Sequence, residues 1–247
     1  MVIEEPRVLF EDNHCLIIEK PAGLATQAPD PFPSLESWAR AYLKTKYVKA
    51  GRPYLGIPHR LDRPVSGIVF FTRSSKAAAR IAEQFRDRSI TKRYLALVEV
   101  ELDPDAPENQ CCWLDYIAKI PDEAKAMLCR PDLPGAKLAQ LEMKAIKTLS
   151  GNSLLDIHLQ TGRMHQIRLQ TASRGFPIVG DALYLSKTNL DLNPSDKRIL
   201  LHSYFLKFLH PISYEPVEIQ SELPSYFPQW AQDFTRNHLF PSVSQKA

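Results

Sequence analysis

Glycine and cysteine are both scarce in this sequence of 247 residues, which contains 9 glycines and 4 cysteines beside 20 prolines. No glycine falls in a G-x-G-x-x-G or G-x-x-x-x-G-K pattern, so a glycine-lined loop for a nucleotide cofactor is not indicated. The cysteines form no C-x-x-C pair, and the neighbours Cys111 and Cys112 do not suit disulfide geometry. We therefore expect reduced thiols and a cytoplasmic location.

Long apolar runs and metal-ligand spacings are missing as well. The most apolar stretch, residues 68–71, falls far short of the roughly 20 residues that span a bilayer, so no membrane contact is expected. The acidic first fourteen residues do not resemble a secretory signal or a transit peptide. The 7 histidines include no H-x-x-x-H pair, and G-x-S-x-G does not occur. We expect no metal, no cofactor and no serine nucleophile.

The composition is that of an ordinary globular protein. Hydrophobic residues make up 44% and charged residues 24%, which excludes a disordered, collagen-like or coiled-coil chain. The length suffices for one large domain or two small ones with a hydrophobic core. The formal net charge is only +3, which by itself neither requires nor excludes a polyanionic partner.

Hydrophobic periodicity predicts more strands than helices. Strands are predicted over 8–10, 15–18, 67–72, 92–100, 138–149, 153–159 and 199–209. Helices are predicted from the cap Ser34 to about 47, from the cap Ser74 through 85, and over 164–174 and 226–235; the second buries Ala78, Ile81, Ala82 and Phe85. Residues 101–135 are predicted to be a variable connection that crosses one or two short strands. The predicted fold class is α+β, with a mostly antiparallel mixed sheet flanked by helices.

Charge is distributed unevenly along the chain. Residues 59–93 carry a net +6, residues 99–123 a net −7, and residues 160–175 contain three arginines and no acid. Clustering by chance on a solvated surface is one interpretation. The other is a basic cleft beside an acidic outer face, which suits a polyanion that approaches in one orientation.

The densest basic segment, His59 to Gly67, contains a single carboxylate, Asp62, between Arg60 and Arg63. The neighbouring positive charge favours its ionised form, which suits a nucleophile or an electrostatic stabiliser better than a general acid. No second carboxylate is present in the segment, so glycosidase-type paired catalysis is not supported. A surface ion-pair cluster that closes a loop is the alternative.

A second segment, 160–168, joins a predicted strand to a predicted helix. Its backbone N–H groups and the positive helix end are predicted to hold an anion, either a phosphate or Asp62. His165 and Arg168 are three residues apart and share a helix face. A solvent-facing polar stripe is the alternative.

Taken together, these segments resemble the RluA-type pseudouridine synthases, which isomerise uridine to pseudouridine in structured RNA. The matching motifs occur in order at 11–24, 59–67, 92–98, 161–168, 175–184, 201–202 and 210–211. The resemblance implies the pseudouridine synthase catalytic fold, with an active-site cleft across the sheet. It also implies a single catalytic domain over 8–237 between terminal tails 1–7 and 238–247, without the N-terminal RNA-binding domain of many relatives.

The resemblance also implies roles for particular residues. Asp62 corresponds to the catalytic aspartate, Arg168 to the arginine that pairs with it, and Tyr94 to the tyrosine that packs on the base and assists loss of the C5 proton. Arg60 corresponds to the residue that enters the base stack when the target is flipped out. The residues expected to bind RNA are Arg60, Arg63, Arg163, His165 and Leu201. Val65, Met164 and Gln170 stand where the family usually has Thr, Thr and His.

The predicted function is therefore a cofactor-free RNA pseudouridine synthase acting on tRNA or rRNA. Two alternatives remain open at the level of the sequence. One is a non-catalytic RNA-binding or ribosome-assembly protein built on the same fold. The other is a phosphodiesterase that uses His59 and His165 together with the arginines.

Overall fold

The computed structural model describes residues 4–48, 51–188, 190 and 198–240. The outer parts of both predicted tails, 1–3 and 241–247, lie outside this range. The strands are β1 (Arg7–Glu11), β2 (Cys15–Lys20), β3 (Ser66–Thr72), β4 (Thr91–Val98), β5 (Gln110–Lys119), β6 (Ala126–Cys129), β7 (Lys137–Leu149), β8 (Asn152–Leu159), β9 (Leu201–Leu209) and β10 (Pro216–Gln220). The α-helices are α1 (Leu35–Lys46), α2 (Ser75–Arg86), α3 (Gln166–Ser173) and α4 (Gln229–His238).

All ten strands of the described residues belong to one sheet, in the order β1-β2-β3-β9-β4-β8-β7-β5-β6, with β10 alongside β9. Every pair is antiparallel except β3 with β9. The predicted α+β class with a mostly antiparallel mixed sheet is confirmed. No helix in the described part of the chain is long and apolar enough to cross a membrane.

The two faces of the sheet are covered by different helices. Tyr94 and Ala96 of β4 belong to a core cluster that includes Leu35 of α1, whereas Leu95 and Leu97 belong to one that includes Ala231 of α4. Successive side chains of a strand point to opposite faces, so the buried part of β4, residues 94–98, must be apolar on both. The cleft described below opens on the face that α1 covers.

The short parallel contact of β3 with β9 brings two backbones unusually close. It consists of the pairs Ser66–His202 and Gly67–Ser203, after which β9 continues beside β10. Gly67 has a φ of 112°, and a Cβ at this position would lie 2.2 Å from the carbonyl oxygen of Ser203. Glycine is therefore required here for both conformation and space.

A buried polar network lies on the reverse face beneath this crossing. His202 is fully buried, with Nδ1 2.8 Å from Ser66 Oγ and Nε2 3.0 Å from Ser221 Oγ. The Tyr226 hydroxyl donates to Ser66 Oγ at 2.7 Å, and Ser221 donates to Glu19. Burial lowers the pKa of His202 to about 4, so the imidazole is neutral and links β2, β3, β9 and the C-terminal segment.

All four predicted helices are present, but their boundaries and one buried face differ from the prediction. Ser34 and Ser74 cap α1 and α2 as expected, accepting bonds from the N–H groups of Ser37 and Ala77. The buried face of α2 is formed by Ala77 and Ile81, whereas Ala82 is exposed, so the predicted stripe is wrong there. Helix α3 starts at 166 rather than 164, and α4 spans 229–238 rather than 226–235. Pro228 occupies the N-cap of α4.

The prediction of one or two short strands within 101–135 is right in number, since β5 and β6 lie there, but it underestimated the length of β5. Strand β5 has ten residues and pairs with β7 from Gln110 to Ile117. Its alternation is weak because exposed Leu114 interrupts the polar face. Strand β10 was not predicted, because its five residues begin with proline and contain one buried side chain, Ile219. Strand β4 ends at Val98 rather than 100, and β9 begins at Leu201 rather than 199.

We expect the substitution Gly67→Ala to lower the free energy of unfolding by about 3 kcal/mol or more, because the methyl group meets the backbone of β9. The matched control is Gly151→Ala, where φ is 79° but no atom lies within 4 Å of the added Cβ. That control carries the left-handed strain alone and should cost about 1 kcal/mol. Urea unfolding measures both losses. Equal losses would contradict the close-approach explanation.

Candidate active site

A cleft of about 880 Å³ crosses the central strands of the sheet. Its walls come from the 58–65 segment, the loop between β8 and α3, and the end of α2. Among the described residues that line it, one carboxylate, Asp62, faces seven lysines and arginines. None of the acidic segment 99–123 is part of the described lining. The cationic residues of the lining are Arg60, Arg63, Arg86, Arg88, Lys92, Arg163 and Arg168.

Arg168 joins Asp62 to a second carboxylate that sequence reasoning did not identify. Its Nε and Nη2 donate to the two carboxylate oxygens of Asp181 at 2.6 and 2.8 Å, and its Nη1 donates to Asp62 Oδ2 at 3.2 Å. Arg168 is 5% exposed and Asp181 is 1% exposed. Burial lowers the pKa of Arg168, but the two carboxylates, Asp181 foremost, outweigh burial and raise it. The guanidinium is a fixed cation with one edge turned to the cleft.

The backbone around Asp62 is held from both sides. Thr26 Oγ1 donates to the Leu61 carbonyl at 2.8 Å and accepts from the Leu61 N–H at 3.1 Å. On the other side, the Arg63 carbonyl accepts from the Gly23 N–H at 2.8 Å and from Lys20 Nζ at 3.3 Å. These bonds fix the carboxylate-bearing residue between two anchored neighbours.

Lys20 is a fully buried amine beneath this segment. Its Nζ also donates to the carbonyls of Pro21 and Leu24, at 2.9 and 2.8 Å. Burial lowers the pKa of Lys20 to about 7, although Asp62 acts in the opposite direction. Lys20 therefore ties the turn after β2 to the Asp62 segment through backbone carbonyls.

The 160–168 segment reaches Asp62 through side chains rather than through the predicted helix end. The N–H of Arg163 donates to Gln166 Oε1 at 3.0 Å, and Thr161 donates to the same oxygen at 2.7 Å. His165 has a φ of 53° and precedes the first turn of α3, with Nε2 3.7 Å from Asp62 Oδ2. His165 and Arg168 therefore both face Asp62, but they do not share the predicted helix face, because His165 precedes α3.

Tyr94 and Leu201 form part of the cleft floor. Both are nearly fully buried and belong to the core cluster under the cleft, at 5% and 3% exposure. Burial, aided by Asp62, raises the pKa of Tyr94 to about 12 against a hydrogen bond with Ser203, so the phenol stays protonated at neutral pH. Leu201 serves both the core and the cleft.

The other predicted RNA-binding residues differ in how tightly they are held. Arg60 is exposed and has no hydrogen bond or ion pair within the described residues. Arg63 is exposed, but its Nε donates to the Gly23 carbonyl at 2.8 Å. Arg163 Nε donates to the Leu138 carbonyl at 2.8 Å, and its remaining N–H groups stay available to a ligand.

His59 does not form a reactive pair with His165. Its Nε2 accepts the N–H of Phe70 at 2.9 Å, and its ring stacks on Phe85. Burial, with Lys92 nearby, lowers the pKa of His59 to about 3. An imidazole that cannot take a proton near neutral pH is not suited to general acid–base cleavage of RNA, which argues against the phosphodiesterase alternative.

Comparisons with known proteins show the family and the fold of the chain. A model of the RNA pseudouridylate synthase family matches residues 14–173. The chain belongs to the RNA pseudouridylate synthase family. The solved structure titled Human RNA Pseudouridylate Synthase Domain Containing 4 is 21% identical, covers 90% of each chain and has a TM-score of 0.71, which supports the same fold.

Two bacterial relatives are more similar in sequence, and both are named ribosomal large subunit pseudouridine synthase D. The chain is 33% identical over 232 residues to the protein of Xanthomonas campestris and 30% identical over 227 residues to that of Nitrosomonas europaea. Each match covers 88% of this chain. The chain spans 66% and 62% of the length of these two relatives.

The three departures from the family pattern occupy different environments. Val65 is buried in the cleft wall, and Met164 lines the cleft with 36% of its surface exposed. Gln170 is fully buried away from the described lining, where its Nε2 donates to Asp115 Oδ2 at 2.6 Å. Arg174 also pairs with Asp115, at 2.9 Å.

One other cluster has the residue types of a metal site. Asp12, Cys15 and His210 lie close together. Asp12 Oδ1 accepts the N–H groups of His14 and Cys15, and His210 Nε2 lies 2.7 Å from Asp12 Oδ2. Burial raises the pKa of the Cys15 thiol to about 12. Both oxygens of Asp12 are thus already bonded to N–H groups or to His210, and the thiol stays protonated, which does not fit a metal ligand set.

The residues that sequence reasoning missed are Asp181, Lys20, Thr26 and Lys92. A signal existed for all but Thr26, because Lys20, Lys92 and Asp181 lie inside the quoted family motifs. Some of their contacts join segments far apart in the chain, as in the 35-residue separation of Thr26 from Leu61 and the 43-residue separation of Lys20 from Arg63. Only the folded arrangement assigns them to the site.

We expect Asp181→Asn to lower the free energy of unfolding by about 3 kcal/mol, because it leaves the buried guanidinium of Arg168 without its main partner. Asp62→Asn is the matched control. The Asp62 side chain is 32% exposed and its removal leaves the Asp181 pair intact, so a change within about 1 kcal/mol is expected. Urea unfolding at neutral pH measures both. Losses of similar size would show that Asp181 is not the main anchor.

Proposed function

We propose that this protein is an RNA pseudouridine synthase that isomerises specific uridines in large-subunit ribosomal RNA. The observation that carries the proposal is Asp62, a single carboxylate held against Arg168 in a cleft that is otherwise cationic along its described lining. The names of the bacterial relatives support ribosomal RNA over tRNA as the substrate. We further propose that residues 8–237 act as one catalytic domain and that the protein works in the cytoplasm.

The roles of the site residues follow from charge and position. Asp62 is proposed to act at C1′ of the target nucleotide, either by forming a bond to that carbon or by stabilising its positive charge. In either case the C1′–N1 bond breaks, the uracil turns, the C1′–C5 bond forms, and the C5 proton is lost while N1 gains a proton. Arg168 orients Asp62 without leaving its bonds to Asp181.

Base extrusion fits the remaining cleft residues. Arg60 is unrestrained at the mouth, where a planar cation can stack in the position that the target base leaves. Tyr94 and Leu201 offer a flat, largely apolar floor for the base. Because the Tyr94 phenol stays protonated at neutral pH, we assign it packing on the base and hydrogen bonding rather than direct removal of the C5 proton.

The substrate class is tested by mapping pseudouridine in cellular RNA with and without the gene for this protein. Loss of signal at one or a few positions of large-subunit rRNA is the expected result. Loss of pseudouridine in tRNA alone would show that tRNA, rather than rRNA, is the substrate. No change in any RNA would favour the alternative of a non-catalytic RNA-binding or ribosome-assembly protein.

We expect Asp62→Asn to reduce pseudouridine formation by about 10³-fold or more, because the amide removes the reacting carboxylate but keeps its shape. RNA affinity should be retained or slightly increased, since a negative charge is removed from a cationic cleft. Nucleoside chromatography of digested RNA gives the readout, because isomerisation leaves mass unchanged. The control is Asp87→Asn, at an exposed acid after α2 that is outside the lining. Substantial turnover by Asp62→Asn would refute the assignment.

RNA affinity should also depend on the ionisation of Lys92. Burial, followed by Arg163 and Arg88, lowers the pKa of Lys92 to about 8. Phosphate binding favours the protonated amine, so affinity is highest below pH 8 and falls as pH rises through that value. We expect a five- to tenfold loss between pH 7 and 9 at constant salt.

The variants Lys92→Arg and Lys92→Gln separate this effect from other titrations. Arginine stays charged over the whole range, so its affinity should not change with pH. Glutamine should bind weakly at both pH values. Fluorescence anisotropy with a labelled rRNA hairpin measures all three proteins. If RNA affinity still falls with pH in Lys92→Arg, a group other than Lys92 is responsible for the pH dependence.

A further inference from the structure

His165 is held in a backbone conformation that few residues adopt. Its φ of 53° lies in the left-handed region, which costs a non-glycine residue about 1 kcal/mol. It occupies the N-cap of α3 but makes no capping bond with its side chain. The imidazole lies instead in the cleft wall between Asp62 and Tyr184, with 11% of the side chain exposed.

The hydrogen bonds of Tyr184 determine which nitrogen of this imidazole carries the proton. The Ala126 N–H donates to the Tyr184 hydroxyl oxygen at 3.0 Å, and that hydroxyl donates to the Ala126 carbonyl at 3.2 Å. A phenol has one proton, and when that proton is given to the Ala126 carbonyl the oxygen is left to accept from His165 Nδ1, which lies 3.0 Å away. All three contacts are satisfied together only when Nδ1 is protonated, which leaves a lone pair on Nε2 of the neutral ring.

Nε2 therefore faces Asp62 as one acceptor facing another. The Nε2–Oδ2 distance is 3.7 Å, too long for a hydrogen bond. Burial, with Arg168, lowers the pKa of His165 more than Asp62 and Asp181 raise it, so the neutral ring is favoured. Two acceptors side by side in a cleft form a site for a hydroxyl or N–H donor that a ligand supplies.

We propose that His165 Nε2 accepts a hydrogen bond from the 2′-hydroxyl of the target nucleotide and so selects ribose over deoxyribose. The inference rests on the proposed function, in which Asp62 acts at C1′. The 2′-hydroxyl is on the adjacent carbon, which makes it the substrate donor nearest to the reacting centre. Arg168, the other group in contact with Asp62, has no acceptor to offer. The 2′-hydroxyl is also the group by which proteins distinguish RNA from DNA.

Two substitutions at 165 isolate this hydrogen bond. In His165→Asn the amide can keep the donor to Tyr184 but does not reach the position of Nε2, and asparagine tolerates the left-handed backbone. In His165→Gln the longer side chain can place an amide oxygen where Nε2 was. The first variant removes the proposed acceptor, and the second restores one.

The first measurement needs no RNA. Two-bond ¹H–¹⁵N correlation spectra of the full-length protein show which imidazole nitrogen of His165 is protonated. The expected result is an Nδ1–H ring whose Nε2 resonance shifts on titration with uridine 5′-monophosphate and shifts several-fold less with the 2′-deoxy nucleotide. An Nε2–H ring, or equal effects of the two nucleotides, overturns the inference.

The second measurement compares affinities for two synthetic hairpins that differ only in uridine or 2′-deoxyuridine at the mapped position. All proteins carry Asp62→Ala, which removes the reacting carboxylate and adds no N–H donor that could occupy His165 Nε2, so turnover does not interfere with the titration. The parent protein should bind the deoxy hairpin about tenfold more weakly than the ribo hairpin. His165→Asn should bind the two hairpins within about twofold of each other. His165→Gln should again bind the deoxy hairpin several-fold more weakly than the ribo hairpin.

The outcomes separate this inference from the proposed function. If Asp62-dependent isomerisation is observed but His165→Asn keeps the tenfold preference, the inference about His165 fails alone. If no RNA is isomerised, the proposed function fails, and the nucleotide titration still decides whether His165 reads the 2′-hydroxyl.

Discussion

The structure depends on one buried cation, the guanidinium of Arg168, being shared unequally between two carboxylates. Asp181 takes two of its N–H groups in a fully buried pair, and Asp62 takes one at the cleft surface. A buried guanidinium is costly unless it is paired, so Asp181 fixes its position before any substrate arrives. Asp62 is then oriented by a group that is already neutralised and anchored. The carboxylate can leave Arg168 to act on a ligand without stranding a buried charge.

The other contacts around the cleft reduce the freedom of Asp62. Lys20 and Thr26 hold the backbone on either side of it, and Gly67 lets β3 approach β9 directly after it. Pre-organisation of this kind lowers the reorganisation needed at the moment of reaction. The total charge of +3 does not reveal that the cleft is cationic. The described lining carries seven cationic side chains, and the acids of 99–123 offset their charge in the total.

Local patterns allowed much of the fold to be predicted, and long-range contacts account for the rest. Ser34 and Ser74 determine their helix starts through bonds within four residues, so both caps were predictable. The start of α3 was not, because Gln166 turns its side chain back to the loop and His165 adopts a left-handed backbone. The length of β5 depends on pairing with β7, which its own alternation does not reveal. Asp62, Arg168, Tyr94 and His165 were placed in the cleft by motif, whereas Asp181 gained its role only through the fold.

The central claim is that this chain alone converts uridine to pseudouridine through the cleft that contains Asp62. Its most direct test is to incubate the purified protein with large-subunit rRNA transcribed in vitro, which carries no modifications, and to map pseudouridine by position. Conversion approaching one pseudouridine per molecule at one or a few discrete positions, with the RNA chain intact, is the predicted result. Tight binding that leaves every uridine unchanged, or cleavage of the RNA, would contradict it.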